Sequence, residues 1–195
     1  GERKEISPPY IEYCKTGNSG EKMELRESET FRNLIKAYQG ELQASGKYRI
    51  YAKQAREEGY MNIADIFEET SGNEERHAEL WQNVLNGGQI PETSRNLEKA
   101  HEDEKREWSD MYASFAEKAE QEGFKGIARL FREVAQIERH HDYRFEQLTQ
   151  DILTNHVFCK DMDRVWICMN CGHLAYGDCA PIRCTVCGYP QGYFR

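Results

Sequence analysis

Glu74 and His77 stand three residues apart, and so do Glu138 and His141. On a helix that spacing puts a carboxylate and an imidazole on one face, so each pair offers an oxygen and a nitrogen to a single point. Glu41, Glu104 and Glu107 add acid at positions that a helical reading also turns inward. Gathering carboxylates out of water without countercharge costs on the order of several kcal/mol each, and no inward-facing Lys or Arg competes to neutralise them. Cations must do so. Two Glu-x-x-His motifs plus a Glu from each of two further helices form the ligand inventory of a carboxylate-bridged di-iron or di-manganese site. The pair Glu104 and Glu107 brings one carboxylate beyond that basic set. His101 and His140 fall off the motif and are read as bystanders, His140 facing outward.

A second constellation closes the chain: Cys168-x-x-Cys171, twelve residues, then Cys184-x-x-Cys187. A stretch of some thirty residues cannot hold itself with an apolar core, so four thiolates on one metal must do much of the folding. Gly172 and Gly188 follow the two knuckles and are expected to free backbone amides toward the sulfurs. Tetrahedral sulfur coordination selects zinc or iron, and spacing does not separate them. A redox-capable pair of metals in the same chain favours iron, since zinc passes no electrons. Of the seven cysteines, Cys14, Cys159 and Cys179 are left over and are read as bystanders. Metal-type spacing in place of a disulfide framework suits a reducing, cytoplasmic compartment.

The elements that must position these groups are helices. From Ser28 to about Leu153 the pattern is helical, broken at Gly59, at residues 86–93 (NGGQIPET) and at Gly123, which makes four helices. An internal repeat organises them. At a constant offset of 64, residues 51–80 and 115–144 share ten of thirty identities, among them Gly59/Gly123, Glu74/Glu138 and His77/His141. The unit is a helix hairpin with glycine at its turn, and two copies make a four-helix bundle. The expected buried faces are Phe31, Leu34, Tyr38, Ser45, Tyr48 and Ala52 on helix 1; Ile63, Phe67, Thr70, Trp81 and Val84 on helix 2; Leu97, Met111 and Phe115 on helix 3; and Leu130, Val134, Phe145 and Leu148 on helix 4. Residues 1–27 read as an irregular arm, residues 28–155 as the all-α four-helix bundle, and residues 156–195 as a small metal-stapled domain of strands and loops.

Composition narrows the functions available. The 195 residues carry a formal charge of −8 with 38% hydrophobic and 31% charged side chains. No basic block stands clear of acidic neighbours, which argues against nucleic acid or an anionic membrane as partner. No apolar run approaches the length of a membrane helix.

The stretches AYQGELQASGKY, EETSGNEERHAELW, EDEKREWSDMY and EEGFKGIARLFREVAQIERHH, with the knuckles CMNCG and CTVCGYP, resemble the rubrerythrin family from about residue 28 to the end. That resemblance implies a ferritin-like di-iron domain followed by a rubredoxin-like Fe(Cys)4 domain. It places the di-iron ligands at Glu41, Glu74, His77, Glu104, Glu107, Glu138 and His141, and the rubredoxin iron at Cys168, Cys171, Cys184 and Cys187. It further implies reduction of hydrogen peroxide to water, in oxidative-stress defence. Electrons would come through the Fe(Cys)4 site from a reduced donor protein or an NAD(P)H-dependent reductase. In the family a helix-3 carboxylate and the helix-2 histidine exchange as ligands with oxidation state; here these are Glu107 and His77. The resemblance also implies a tyrosine near the site, Tyr48, with Tyr112 as a second candidate.

Connection lengths imply an oligomer. Bringing parallel helices 2 and 3 to a common metal level requires a return of ~30 Å, at 1.5 Å per helical residue, and Gly87 to Ser94 at ~3.3 Å per residue leaves no slack. A homodimer exchanging helix hairpins is therefore expected. The rival readings are a ferroxidase or iron-handling protein, an oxygen-activating oxygenase, and a zinc-loaded structural protein without turnover.

Overall fold

The structure is a computed structural model and describes residues 24–195. Most of the expected N-terminal arm, with Cys14, lies outside the described residues. The chain forms two compact units, residues 1–91 and 92–195.

In the first unit α1 (Glu29–Glu57) and α2 (Met61–Leu85) form a hairpin. The Ser28 hydroxyl accepts from the Phe31 N–H and starts α1. Gly59, at φ 86°, ends it. There the Tyr60 N–H reaches the Ala55 carbonyl and the Gly59 N–H the Arg56 carbonyl, a Schellman closure that needs a left-handed residue. In the second unit α3 (Thr93–Arg106), a π-helical turn (Glu107–Met111) and α4 (Tyr112–Gln121) run on without a break as one rod. α5 (Lys125–Leu153) folds back on it. The turn between them repeats the first hairpin: Gly123 has φ 86°, Phe124 N–H reaches the Ala119 carbonyl and Gly123 N–H that of Glu120.

The seams inside the hairpins agree with the expected stripes at Ser45 and Ala52 and otherwise differ from them. Buried in the first are Ser45, Ala52, Ala55, Ala64, Ser71 and Ala78, and in the second Ala116, Ala119, Ala128 and Asp142. Small side chains let two backbones approach, and the Ser71 hydroxyl adds a 2.9 Å bond to the Ser45 carbonyl. The large apolar residues stand beside these seams. Phe67 and Trp81 are half-buried, whereas Ile63 is 47% exposed, Leu130 57% and Phe115 45%. The reason is geometric: two helices cover only one strip of each other, so the rest of each apolar face stays open within its own hairpin.

The chain ends in a small body built on β1 (Cys159–Ile167) and β2 (Leu174–Cys179), an antiparallel pair. Trp166, Cys168, Ala180, Cys184 and Phe194 form its core. Cys159 and Cys179 face each other across the ladder and are joined by a disulfide, which corrects their reading as bystanders. The antiparallel register, invisible in the residue spacing, brings them together.

Added to Gly59 or Gly123, a Cβ atom meets nothing within 4 Å, so the backbone alone opposes a side chain there. Gly59→Ala and Gly123→Ala should each destabilise by roughly 1–2 kcal/mol and act additively, because they cap separate hairpins. Urea unfolding of the single and double variants measures this.

Candidate metal centres

Each hairpin carries one trio of ligand-type side chains. In the first, Glu41 from α1 and Glu74 and His77 from α2 bring their donor atoms within 4.8 Å of one another. His77 Nδ1 lies 2.8 Å from Glu74 Oε2 and 3.9 Å from Glu41 Oε2. In the second, Glu104 from α3 and Glu138 and His141 from α5 do the same, with His141 Nδ1 2.8 Å from Glu138 Oε2 and 3.5 Å from Glu104 Oε2. His140 points to solvent, as expected.

The repeat is broken by one residue. Glu74 and His77 map onto Glu138 and His141 at offset 64, as Tyr48, Tyr51 and Phe67 map onto Tyr112, Phe115 and Phe131. Both aromatic trios are packed alike, with ring centroids 5.6–6.3 Å apart in one and 5.7–6.3 Å in the other. Glu41, however, maps onto Glu104 at offset 63. The extra residue therefore falls between Glu104 and Tyr112, where the π turn lies, and a π turn is the form a single insertion takes inside a helix. Glu107 opens that turn at the place where α1 has Ala44. The inserted residue thus accompanies an acid that the first hairpin lacks. Glu107 lies outside the trio, but its charge helps raise the pKa values of both Glu104 and Tyr112.

The electrostatics fit a cation. Burial, then a hydrogen bond with Glu138 and its charge, push the Glu104 carboxyl above the ordinary carboxylate range. Glu104 Oε2 is buried without a hydrogen-bond partner among the described residues. Tyr112 is raised by burial first, then by Glu107, Glu138 and Glu104. A divalent ion joining this group would remove the repulsion and satisfy the orphaned oxygen.

Asp142 and Trp108 escaped the sequence reading. Asp142 is 9% exposed. The Trp108 indole N–H donates to its Oδ2 at 2.8 Å, and His101 Nδ1 lies 2.5 Å from its Oδ1, so His101 stays outside the metal-binding trios, as expected, and contacts this acid instead. The network ties α3 and the π turn to α5. A signal did exist: the repeat mate of Asp142 is Ala78, a buried seam position, where an acid needs partners.

The four remaining cysteines, Cys168, Cys171, Cys184 and Cys187, converge as a third group. Cys168 and Cys187 sulfurs are 3.7 Å apart, as are those of Cys171 and Cys184. A tetrahedron of sulfurs ~2.3 Å from a central metal has edges of ~3.8 Å. The knuckles are built alike. Cys168 N–H donates to the His173 carbonyl and Cys184 N–H to that of Tyr189. Gly172 (φ 76°) and Gly188 (φ 74°) return their own amides to the Cys168 and Cys184 carbonyls, which leaves the following amides, of His173 and Tyr189, turned toward the Cys171 and Cys187 sulfurs as expected. The backbone N–H of Tyr189 and the Asn170 side chain lower the Cys187 thiol to about 6. At Cys171 the backbone N–H of His173 pulls down, but the neighbouring thiols outweigh it and the value rises to about 12.

Residues 32–149 match the Rubrerythrin family and residues 166–195 match the Rubrerythrin, rubredoxin-like domain. The chain is 40% identical over 186 residues to Rubrerythrin-1 of Clostridium acetobutylicum, covering 88% of this chain and 95% of that protein. It is 38% identical over 182 residues to a rubrerythrin of Porphyromonas gingivalis, at 88% and 91% coverage. To that of Nitratidesulfovibrio vulgaris it is 35% identical over 182 residues, at 88% and 95%.

A carboxyl whose pKa is raised by folding stabilises the fold while protonated, and the benefit is lost as pH climbs. With metal stripped by a chelator, thermal stability should therefore decline as pH rises above 4.5, the ordinary value for Glu104. Metal-loaded protein should show the opposite slope, because protons compete with the ion. Glu104→Gln should flatten the decline in melts of the stripped protein; an unchanged slope would contradict the assignment.

Proposed function

The chain belongs to the rubrerythrin family, with its di-iron carboxylate site, its four-cysteine cluster and its ferritin-like and rubredoxin-like parts, and on that premise we propose that it is a cytoplasmic peroxidase reducing hydrogen peroxide to water. The observation that carries the proposal is the pair of repeat-related Glu, Glu, His trios in one chain with a four-cysteine group. The division is residues 28–155 for the di-iron domain and 156–195 for the rubredoxin-like domain. Among the described residues, no helix is long and apolar enough to cross a membrane.

Glu41, Glu74, His77, Glu104, Glu138 and His141 hold the two irons, and Glu107 supplies the additional carboxylate. When bound, the irons supply one electron each, which with two protons carries one peroxide to two waters. Glu107 and His77 would be the side chains that alternate as ligands with oxidation state, an exchange that flexible oxygen ligands allow at small cost. Tyr48 acts as the hydroxyl donor near the site, and Tyr112, whose phenol keeps its proton to higher pH than usual, is its counterpart in the second repeat. Cys168, Cys171, Cys184 and Cys187 would hold a single iron, which would supply one-electron transfer from an NAD(P)H-linked donor protein. A ferroxidase would leave that relay without a role.

Replacing Glu107 or His77 by Ala should lower peroxide turnover by about tenfold or more while leaving the melting temperature near its original value. Stopped-flow mixing of the reduced protein with peroxide and with oxygen reads this, and unchanged peroxide rates would remove the ligand exchange.

We also propose that the protein is a homodimer exchanging helix hairpins, so that each di-iron centre draws on two chains. The short connection between α2 and α3 and the exposed Ile63, Ile66, Ile127 and Leu130 support this reading. Light scattering at micromolar concentration should return twice the chain mass, and a monomer would end it.

A further inference from the structure

We propose that Cys159 and Cys179 are a reversible thiol–disulfide pair that fastens and releases the point where the chain leaves α5 and joins the small four-cysteine body. The two face each other at the outer end of the β ladder and are bonded. Cys179 is exposed and Cys159 half-buried, so small oxidants and reductants reach them.

The surroundings make the bond a fastening rather than a staple for the whole body. Beyond Cys159 the ladder breaks. The next pair is Arg164 with Gly177, so residues 160–163 bulge out opposite Asp178. The body keeps its own supports without the pair: the four metal-site sulfurs and the core of Trp166, Ala180 and Phe194. With the disulfide open, what ties the joining segment to the body is the Ala180 N–H bond to the Phe158 carbonyl and the packing of the Phe158 ring. On the helix side, Lys160 Nζ pairs with Asp151 Oδ2 at 2.9 Å, and His156 Nε2 lies 3.2 Å from Asp161 Oδ1. The bulge therefore holds to the end of α5 while the disulfide holds to the body.

Opening the bond leaves the Phe158 contacts as the one hold ahead of Arg164, and when these let go the free tether grows from residues 154–158 to residues 154–163. Doubling a flexible tether lowers the effective concentration of one end at the other about threefold, as the −3/2 power of length. The disulfide thus sets how tightly the four-cysteine group is held to the helical part.

The chemistry balances with peroxide as oxidant. The Cys179 thiolate attacks one peroxide oxygen, the O–O bond breaks, and the departing hydroxide takes a proton to become water. The Cys159 thiol then attacks the sulfenic sulfur, the S–O bond breaks and a second water leaves. Two thiols are oxidised and one peroxide is reduced. A small dithiol reverses this, supplying two electrons and two protons and ending as its own disulfide.

Formation and opening of the bond stand apart from the peroxidase reading; only an effect on electron delivery rests on it. The test uses the full-length metal-loaded protein. As isolated, iodoacetamide should leave Cys159 and Cys179 unmodified. After dithiothreitol, both should be alkylated while Cys168, Cys171, Cys184 and Cys187 stay protected, and one equivalent of peroxide should restore the protection. Trypsin cleavage after Lys160, followed by mass spectrometry, should speed up about tenfold on reduction, as local opening frees the bulge. Cys159→Ser and Cys179→Ser should cleave at the fast rate whatever the redox treatment, the visible spectrum of the four-cysteine iron reporting that they fold. The proposal fails if dithiothreitol strips the metal-site thiols before the pair opens. It also fails if peroxide does not close the pair, or if cleavage ignores its state. If the cleavage and alkylation results hold but reduction leaves the peroxide rate unaltered, the fastening survives and its link to electron delivery is overturned.

Discussion

Carboxylates held beside a close-packed seam resist ionising together, and the rest of this molecule is arranged around that resistance. Glu104 shows it most plainly, its pKa raised by burial and by the neighbouring Glu138 while one buried oxygen has no hydrogen bond among the described residues. A fold that merely needed stability would place alanine there, as it does along the seams. Keeping acids at these positions makes sense only if a cation completes them, and then the repulsion that weakens the empty site becomes the source of its affinity. The helices are the means of holding three donors within 4.8 Å in each hairpin without letting them turn away to water.

The second hairpin is a copy of the first with two edits. One is the single added residue that the π turn absorbs, which comes with Glu107 where the first copy has Ala44. The other is Asp142 in place of the seam alanine, whose carboxylate accepts from Trp108 and pairs with His101. The two are connected: Trp108 lies inside the π turn, so the buried acid secures the irregular segment that the insertion created. Irregular helix is costly to keep unless its side chains are held, and here they are.

How much was legible in the residues follows from the range of each interaction. Glu74 with His77 and Cys168 with Cys171 are local, three residues apart, and their geometry is fixed by the helix or the knuckle, so they could be read directly. The glycine turns were legible for the same reason. The buried seams were legible only in part, at Ser45 and Ala52, because a hydrophobic pattern weights large residues, whereas close helix packing selects Ala and Ser and leaves Ile63 and Leu130 on the open face. The π turn left one trace, the slip from offset 64 to 63 between Glu41 and Glu104, which has meaning only once those two acids are known to be equivalent. The Cys159–Cys179 bond left none, since it depends on a strand register interrupted by a bulge.

Apart from Ala55, the first hairpin's buried small residues recur at intervals of seven: Ser45 and Ala52 on α1, and Ala64, Ser71 and Ala78 on α2. A seam of period seven on a helix of 3.6 residues per turn drifts by ~20° each repeat, which favours a left-handed winding of the two rods. Their uncovered flank is consequently a twisted ribbon, and a flat surface would touch it along only part of its length. Whatever closes over it must be coiled with the same hand.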